Sequence, residues 1–390
     1  MSNQKPQANP LDSNETGSHI SSANTATRDQ LQQLQPHKPK ARESVAVALS
    51  GGVDSMVTTM LLKERGHQIT AVHLILRPDH PPEAEDHIPQ LAARLEVDLH
   101  VVDLRKPFRE MVIKPFLEAY RRGKTPNPCV ICNPRIKFTL LQEHAMKLGA
   151  KMVATGHYAR LLSDDSDGSV HLFRGRDRGK DQSYFLHGLN QEQLRRTFFP
   201  LGDYLKSEVK QLAAAAEMSE FHRPESQEIC FISDNDYRNF LEEHLGSDRP
   251  QPGRILDMEG QQVGEHGGIH RYTIGQRRGI GIPSTAPYYV VALEPDTNTV
   301  RVGRDSDVRN RELMVTGVNW IAISPPTSEL EALVQVRSRH RVAPALLMPA
   351  TEGVLVRFVD KQKAITPGQS AVFYSGDEVL GGGSIERVLS

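Results

Sequence analysis

Ala46-Val47-Ala48-Leu49-Ser50-Gly51-Gly52-Val53-Asp54-Ser55 is the stretch on which the reading of this chain turns. It begins as an apolar run, passes through a Gly-Gly turn, and is followed by helix-spaced apolar residues at Val57, Met60, Leu61 and Leu62. A strand entering a glycine turn and then a helix is how α/β proteins grip phosphate. The glycines let backbone N–H groups approach oxygen closely, and the helix N-terminus adds partial positive charge. Ser50 and Ser55 supply hydroxyls, and Asp54 suits either a helix start or a Mg²⁺ ion. The stretch lacks the Lys of G-x-x-x-x-G-K-[ST] and the spacing of G-x-G-x-x-G, so it is neither of the common nucleotide loops.

Outward from this loop the chain alternates strand and helix. The patterning predicts strands at Val45–Leu49, Thr70–Leu76, Leu99–Asp103 and Met152–Thr155, with helices at Ser55–Arg65, Ala84–Leu95, Phe108–Arg122 and Phe138–Leu148. That rhythm describes a doubly wound parallel α/β sheet, on which ligands sit beyond the strand C-termini. Ser50–Ser55, Leu74 and Gly156-His157-Tyr158 all fall there. Two helices are expected next, at Glu208–Glu217 and Asn235–His244. Short β-forming runs follow at Tyr288–Leu293, Val300–Val302, Leu333–Val336, Val354–Phe358 and Ala371–Tyr374, a spacing that suggests a small antiparallel barrel or sandwich. Residues 1–42 are polar and poor in large apolar side chains, which predicts a disordered tail with at most a short helix near Asp29–Leu34. The domain limits expected are 43–206, 207–275 and 276–390, the middle one mainly helical.

Composition narrows the class. A chain of 390 residues with 38% hydrophobic residues can build two or three cores. A net charge of −1 leaves any nucleic-acid partner to a local patch. No apolar run approaches the roughly 18 residues of a membrane span, and no signal peptide is visible, so a cytoplasmic protein is expected. Three cysteines are too few for a disulfide framework and point to chemistry or metal. Cys129 and Cys132 have C-x-x-C spacing in a Pro-rich loop before a helix, and Cys230 lies between Ile229 and Phe231. The spacing alone allows incidental thiols, a structural zinc completed by His157, a thiol–disulfide switch, or a 4Fe–4S cluster with one open iron.

Ser50-Gly-Gly-Val-Asp-Ser55 resembles the pyrophosphate loop of enzymes that cleave ATP between its α and β phosphates. Further motifs fall in order along residues 44–388: Gly123-Lys-Thr-Pro-Asn-Pro128 with Cys132-Asn133, Ile136-Lys137-Phe138, Thr155-Gly-His-Tyr158, Lys180-Asp-Gln-Ser-Tyr-Phe-Leu186, Ile229-Cys-Phe231, Tyr272-Thr-Ile-Gly-Gln-Arg-Arg278 and Thr366-Pro-Gly-Gln369. Together they resemble the tRNA-specific 2-thiouridylase family of the MnmA type. The resemblance implies ATP and Mg²⁺, tRNA for Lys, Glu or Gln as substrate, and a sulfur donor that is sulfide or a persulfide carrier protein. The wobble uridine is flipped out, its C2 oxygen adenylated, and sulfur displaces AMP. By position, Ala48, Leu49, Ser50, Gly51, Gly52, Val53, Asp54, Ser55, Leu74 and Gly156 would contact ATP. Asn127, Pro128 and Cys129 would lie against the target base. His157, Lys180, Asp181, Gln182, Arg337, Ser338 and Gln369 would touch tRNA. Cys132 would be the nucleophile and Cys230 the persulfide carrier, while Arg277 and Arg278 suit a phosphate clamp or a solvated turn.

The chain departs from the family at Cys129, where many members carry Asp, at Ser226-Gln227-Glu228, and at Ser338, where an aromatic is common. The first departure creates a three-thiolate set, Cys129, Cys132 and Cys230, which would leave the fourth iron of a 4Fe–4S cluster free to bind hydrosulfide. An iron–sulfur-dependent thiouridylase is therefore expected, with persulfide relay through Cys230 and Cys132 as the alternative. An amide ligase acting on a small carboxylate through the same loop is the competing class. It would leave the cysteines idle and would need an ammonia source that the sequence does not display.

Overall fold

The computed structural model describes residues 33–77, 87–218, 229–232 and 236–389. Most of the expected tail, residues 84–86 of the helix predicted at Ala84–Leu95, and Ser226-Gln227-Glu228 lie outside them.

The run Ser44–Ala48 is the centre of a five-stranded parallel sheet ordered Asp98–Asp103, Gln68–Ile75, Ser44–Ala48, Met152–Ala154, Thr197–Phe198. Val45, Ala46 and Val47 are fully buried, as a strand covered on both faces requires. Helix Val53–Glu64 lays Val53, Met56, Val57 and Leu61 against Ile88 and Leu91 of helix His87–Arg94 and Val209 of helix Lys206–Ala215. Each such side chain contributes about 1.5–3 kcal/mol by leaving water. Successive strands run outward on both sides of Ser44–Ala48. The loops after Ser44–Ala48 and Met152–Ala154 therefore meet at the point where strand order reverses, the ligand crevice of open α/β sheets.

The C-x-x-C segment differs from its expectation as a loop. Helix begins at Pro128, ten residues before the predicted Phe138, and runs through a π-helical turn, Asn133–Leu140, into Leu141–Lys147. Pro134 argues against helix in the sequence. Its carbonyl is instead taken up by side chains, accepting from Thr139 Oγ1 and Gln193 Nε2, both at 2.7 Å. The N-terminus is fixed by Asn127, whose Oδ1 accepts the Cys129 N–H at 3.1 Å, with Pro128 preset for the first helical position.

Helix Tyr237–Leu245, capped by the Asp236 carboxylate, leads into a four-stranded sheet ordered Gln262–His266, Gly253–Leu256, Thr299–Gly303, Tyr289–Glu294 around Ile255, Val290, Val300 and Val302. The remaining strands close a six-stranded antiparallel barrel: Glu378–Val388, Arg309–Trp320, Gly353–Lys363, Ala343–Ala350, Leu330–Gln335, Ser370–Ser375, and back to Glu378–Val388. Leu313, Val356, Phe358, Phe373 and Ile385 fill it. Among the described residues no helix is long and apolar enough to cross a membrane.

An antiparallel arm of the first domain, Ala159–Ser163 and Val170–Arg174, joins this barrel through Phe173 opposite Glu378. At the joint His171 Nδ1 meets Glu378 Oε1 at 2.5 Å, with Glu378 only 2% exposed. Hydrogen bonding to Glu378 raises the imidazole pKa above its ordinary 6.5. A raised folded-state pKa gives stability that is complete below about pH 6.5 and lost as pH climbs through the raised value. The melting-temperature gap between the native protein and Glu378→Gln should therefore narrow from pH 6 to pH 9. A gap independent of pH would show that the pair is not ionic.

Candidate active site

Ser55 organises the loop Ser50–Ser55, where phosphate contacts are expected. Its hydroxyl donates to the Gly52 carbonyl at 2.8 Å and accepts the Ser50 N–H at 3.2 Å, with Ser50 Oγ 3.3 Å away. Gly51 turns the chain at φ +80°, and a Cβ there would fall 2.4 Å from His87 Nε2 and 2.6 Å from Ile88 Cδ1. Across the crevice a Cβ on Gly156 would fall 2.9 Å from Asp54 Cβ. Both glycines keep the cradle open, and no side chain caps helix Val53–Glu64 at Gly52. Ala48 ends the central strand and Leu74 lies near the end of its neighbour, so the expected ATP contacts gather at one edge.

Asp54 is already engaged. Its carboxylate accepts from Tyr158 OH at 2.7 Å and from Lys206 Nζ at 2.7 and 2.8 Å. Lys206 is absent from the sequence reading. It lies about 150 residues downstream in a helix whose pattern looks ordinary, and nothing local signals its destination.

The second half of the site is a cavity of about 340 Å³ lined by Asn127, Pro128, Cys129, Ile229, Ser338 and Gln369, with Tyr120, Phe185 and Tyr237 as aromatic walls. It brings the segment expected against the target base together with two residues expected to touch tRNA. The barrel supports this wall directly. Gln369 Nε2 donates to the Thr125 carbonyl at 2.7 Å, and Thr125 N–H donates to the Pro367 carbonyl at 3.0 Å. Gly368 packs so closely that a Cβ would meet Lys124 and Thr125 at 3.0 Å.

Cys129 is half-buried, Cys132 buried and Cys230 exposed, all as free thiols. Burial raises all three pKa values, that of Cys132 to about 12, while the Lys137 ammonium pulls each one back. The three thiols thus share one cation. A π-helical turn explains how Lys137, five residues after Cys132, comes back toward it, since i and i+5 lie nearly one turn apart in that geometry. Among the described residues, however, no group of three or more His, Cys, Asp or Glu side chains is placed to hold a metal ion.

The other expected tRNA residues are built into the scaffold around the crevice. His157 hydrogen-bonds Thr155 Oγ1 through Nδ1 at 2.7 Å and packs on Phe138 and Phe199. Burial, then the Lys137 charge, hold it neutral. Asp181 accepts from Gly175 N–H and from Ser183 N–H and Oγ, and burial raises its pKa. Gln182 Oε1 accepts the Tyr158 N–H at 3.0 Å. Lys180 is half-buried nearby. Arg337 donates to the Ile274 carbonyl at 2.8 Å and to Thr366 Oγ1, tying the barrel to the middle sheet.

The chain matches three family models in order: a tRNA methyl transferase HUP domain over residues 43–234, a tRNA methyl transferase PRC-barrel domain over 238–304, and an aminomethyltransferase beta-barrel domain over 310–385. The tRNA-specific 2-thiouridylase MnmA of Heliobacterium modesticaldum is 44% identical over 360 residues, 89% of this chain and 94% of that one. Its counterparts from Geobacter metallireducens (44% over 366 residues, 90% and 99%) and Carboxydothermus hydrogenoformans (43% over 361 residues, 89% and 99%) are similarly close. With the phosphate loop, the parallel sheet and both β domains in matching order, the chain belongs to the MnmA family of tRNA-specific 2-thiouridylases.

Proposed function

We propose that the protein is an ATP-dependent tRNA-uridine 2-sulfurtransferase acting on the wobble uridine of tRNA for Lys, Glu and Gln in the cytoplasm. One observation carries this reading: a cavity of about 340 Å³, roomy enough for a flipped nucleobase, is walled by Asn127–Cys129, by Ile229 beside Cys230, and by Ser338 and Gln369 of the barrel. A base extruded from an anticodon loop needs such a pocket, with aromatic walls of the kind Tyr120, Phe185 and Tyr237 provide.

The chemistry follows from the two halves. A urea-type carbonyl is a poor electrophile. The uridine O2 attacks the α phosphorus of ATP and pyrophosphate leaves with its electron pair, which converts O2 into a leaving group. The loop 50–55 holds the phosphates with N–H and hydroxyl donors, and Mg²⁺ bound with them would balance the departing charge. Sulfur then adds at C2 and AMP departs. Cys230, the exposed thiol, receives a sulfane sulfur from the donor. The buried Cys132 thiolate attacks the Cys230 Sγ, closing a Cys132–Cys230 disulfide, and the hydrosulfide released displaces AMP. A cellular thiol reductant reopens the disulfide.

The relay, rather than the expected cluster, suits the thiols as they stand, since they lack a metal-holding arrangement among the described residues. Cys129 is then an accessory. Protein purified without oxygen should hold no stoichiometric iron, and Cys129→Ala should keep thiolation within roughly tenfold. Near four irons per chain, with activity lost in Cys129→Ala, would reinstate the cluster. The activity itself is tested by nucleoside analysis after incubation with ATP, unmodified tRNA and a persulfide donor. One 2-thiouridine per AMP and pyrophosphate is expected; no thiolation with persulfide or with sulfide would overturn the reading.

A further inference from the structure

Lys206 is a buried cation that the proposed reaction has not yet used. It occupies the first position of helix Lys206–Ala215, which is held in place by Asp177 Oδ2 accepting the Lys206 N–H at 2.9 Å and by Glu208 accepting the Leu205 N–H at 2.7 Å. Its side chain is 8% exposed, whereas that of its partner Asp54 is 32% exposed. The ammonium also lies 5.6 Å from the Tyr158 ring centroid, and the Tyr158 hydroxyl holds the same carboxylate. A buried lysine is seldom found without a paired charge. Here the pair stands in the second residue of the phosphate-loop helix, between that loop and Gly156.

We propose that Lys206 contacts the β and γ phosphates of ATP and that Asp54 holds it in reserve until they arrive. The assignment rests on the adenylation reading above. An anionic Asp54 beside the loop would repel a polyphosphate. In the free protein Lys206 cancels that charge. When the magnesium complex of ATP enters, Asp54 turns to the cation and the ammonium turns to phosphate oxygens, so one ion pair is exchanged for two and neither buried charge is stranded. As the α–β bond breaks, the N–H donors of Lys206 meet charge growing on the departing pyrophosphate. Lys206 stays protonated throughout and no bond forms to it.

The two partners of one ion pair should therefore act in opposite directions on binding of inorganic pyrophosphate measured without Mg²⁺. Asp54→Asn frees Lys206 and removes the repulsion, and pyrophosphate should bind several-fold tighter. Lys206→Met keeps the aliphatic stem and should weaken it at least tenfold, with AMP affinity unchanged. Lys206→Arg, which keeps the charge, should recover part of the loss. A melting curve for each variant separates this from misfolding. Equal losses in Asp54→Asn and Lys206→Met, or no change in either, would make the pair a structural pin and overturn the assignment while leaving adenylation standing. A native protein that binds neither ATP nor pyrophosphate would overturn both.

Discussion

Replacing Cys132 with Ser should abolish 2-thiouridine formation, a loss of roughly 10³-fold or more, while tRNA-dependent release of AMP and pyrophosphate stays within a few-fold of native. The asymmetry follows from the separation of the site into two halves. Cys132 is 6% exposed and belongs to the apolar cluster that also holds Phe108, Phe116 and Phe231. Its thiol is pushed up to about 12 by burial, so little is thiolate at neutral pH. The Lys137 ammonium opposes that shift. The thiolation step should therefore speed up about tenfold per pH unit between pH 7 and 9, because the thiolate fraction rises that steeply below the pKa. Adenylation should not follow that slope. Removing the cation in Lys137→Met should slow thiolation further at pH 7 and leave the tenfold slope unchanged, moving the whole profile to higher pH. A thiolation rate flat in pH, or an AMP yield that collapses with Cys132→Ser, would show that the halves are not separable. The Lys137 cation shared by the three thiols would then need another role.

Gly51→Ala should all but eliminate ATP binding, by roughly 10²-fold, and should destabilise the fold by about 1–3 kcal/mol. Two costs combine there. The residue sits at φ +80°, where an L side chain is strained, and its new Cβ would drive into His87 and Ile88. The helix His87–Arg94 must then move off the loop, taking Leu91 out of the main cluster. Gly156→Ala should show the binding loss with less destabilisation, because its Cβ meets Asp54 inside the crevice rather than a packed helix. Gly66→Ala is the control. It shares a positive φ, at +76°, but has nothing within 4 Å, so it should cost about 1–2 kcal/mol and leave ATP binding intact. Calorimetric titration with ATP and denaturant unfolding of the three variants separate conformational strain from occupation of the cradle. Equal ATP affinities in all three would mean that the glycines serve the turn alone.

How much of this could be read from residues depends on how far each signal travels along the chain. The strand, turn and helix around Ser50–Ser55 are local. Burial on both faces makes Val45–Val47 continuous in apolarity, and only glycine suits Gly51, so the fold and the strand–turn–helix at Ser50–Ser55 were legible. The barrel was legible as short punctuated strands, but its closure depends on Glu378–Val388 pairing with both Arg309–Trp320 and Ser370–Ser375, a long-range fact no periodicity carries. The start of the C-x-x-C helix was hidden by Pro134, which has no N–H to donate, while its carbonyl is held by Thr139 and by Gln193, some 60 residues away. The same π-helical turn delivers Lys137 to the thiols, which 3.6-residue counting places elsewhere. Lys206 shows the limit most plainly. Its partner is an aspartate 152 positions earlier in the chain.

The measurement that bears most directly on the account is a single turnover with labelled sulfur. Protein carrying one sulfane sulfur on Cys230 is mixed with ATP, Mg²⁺ and unmodified tRNA, with no free sulfide or thiol present. The account predicts that the label moves into 2-thiouridine, matched by one AMP, one pyrophosphate and a Cys132–Cys230 disulfide per chain. AMP released while the label stays on the protein would contradict the relay, and no AMP at all would contradict the adenylation on which it depends.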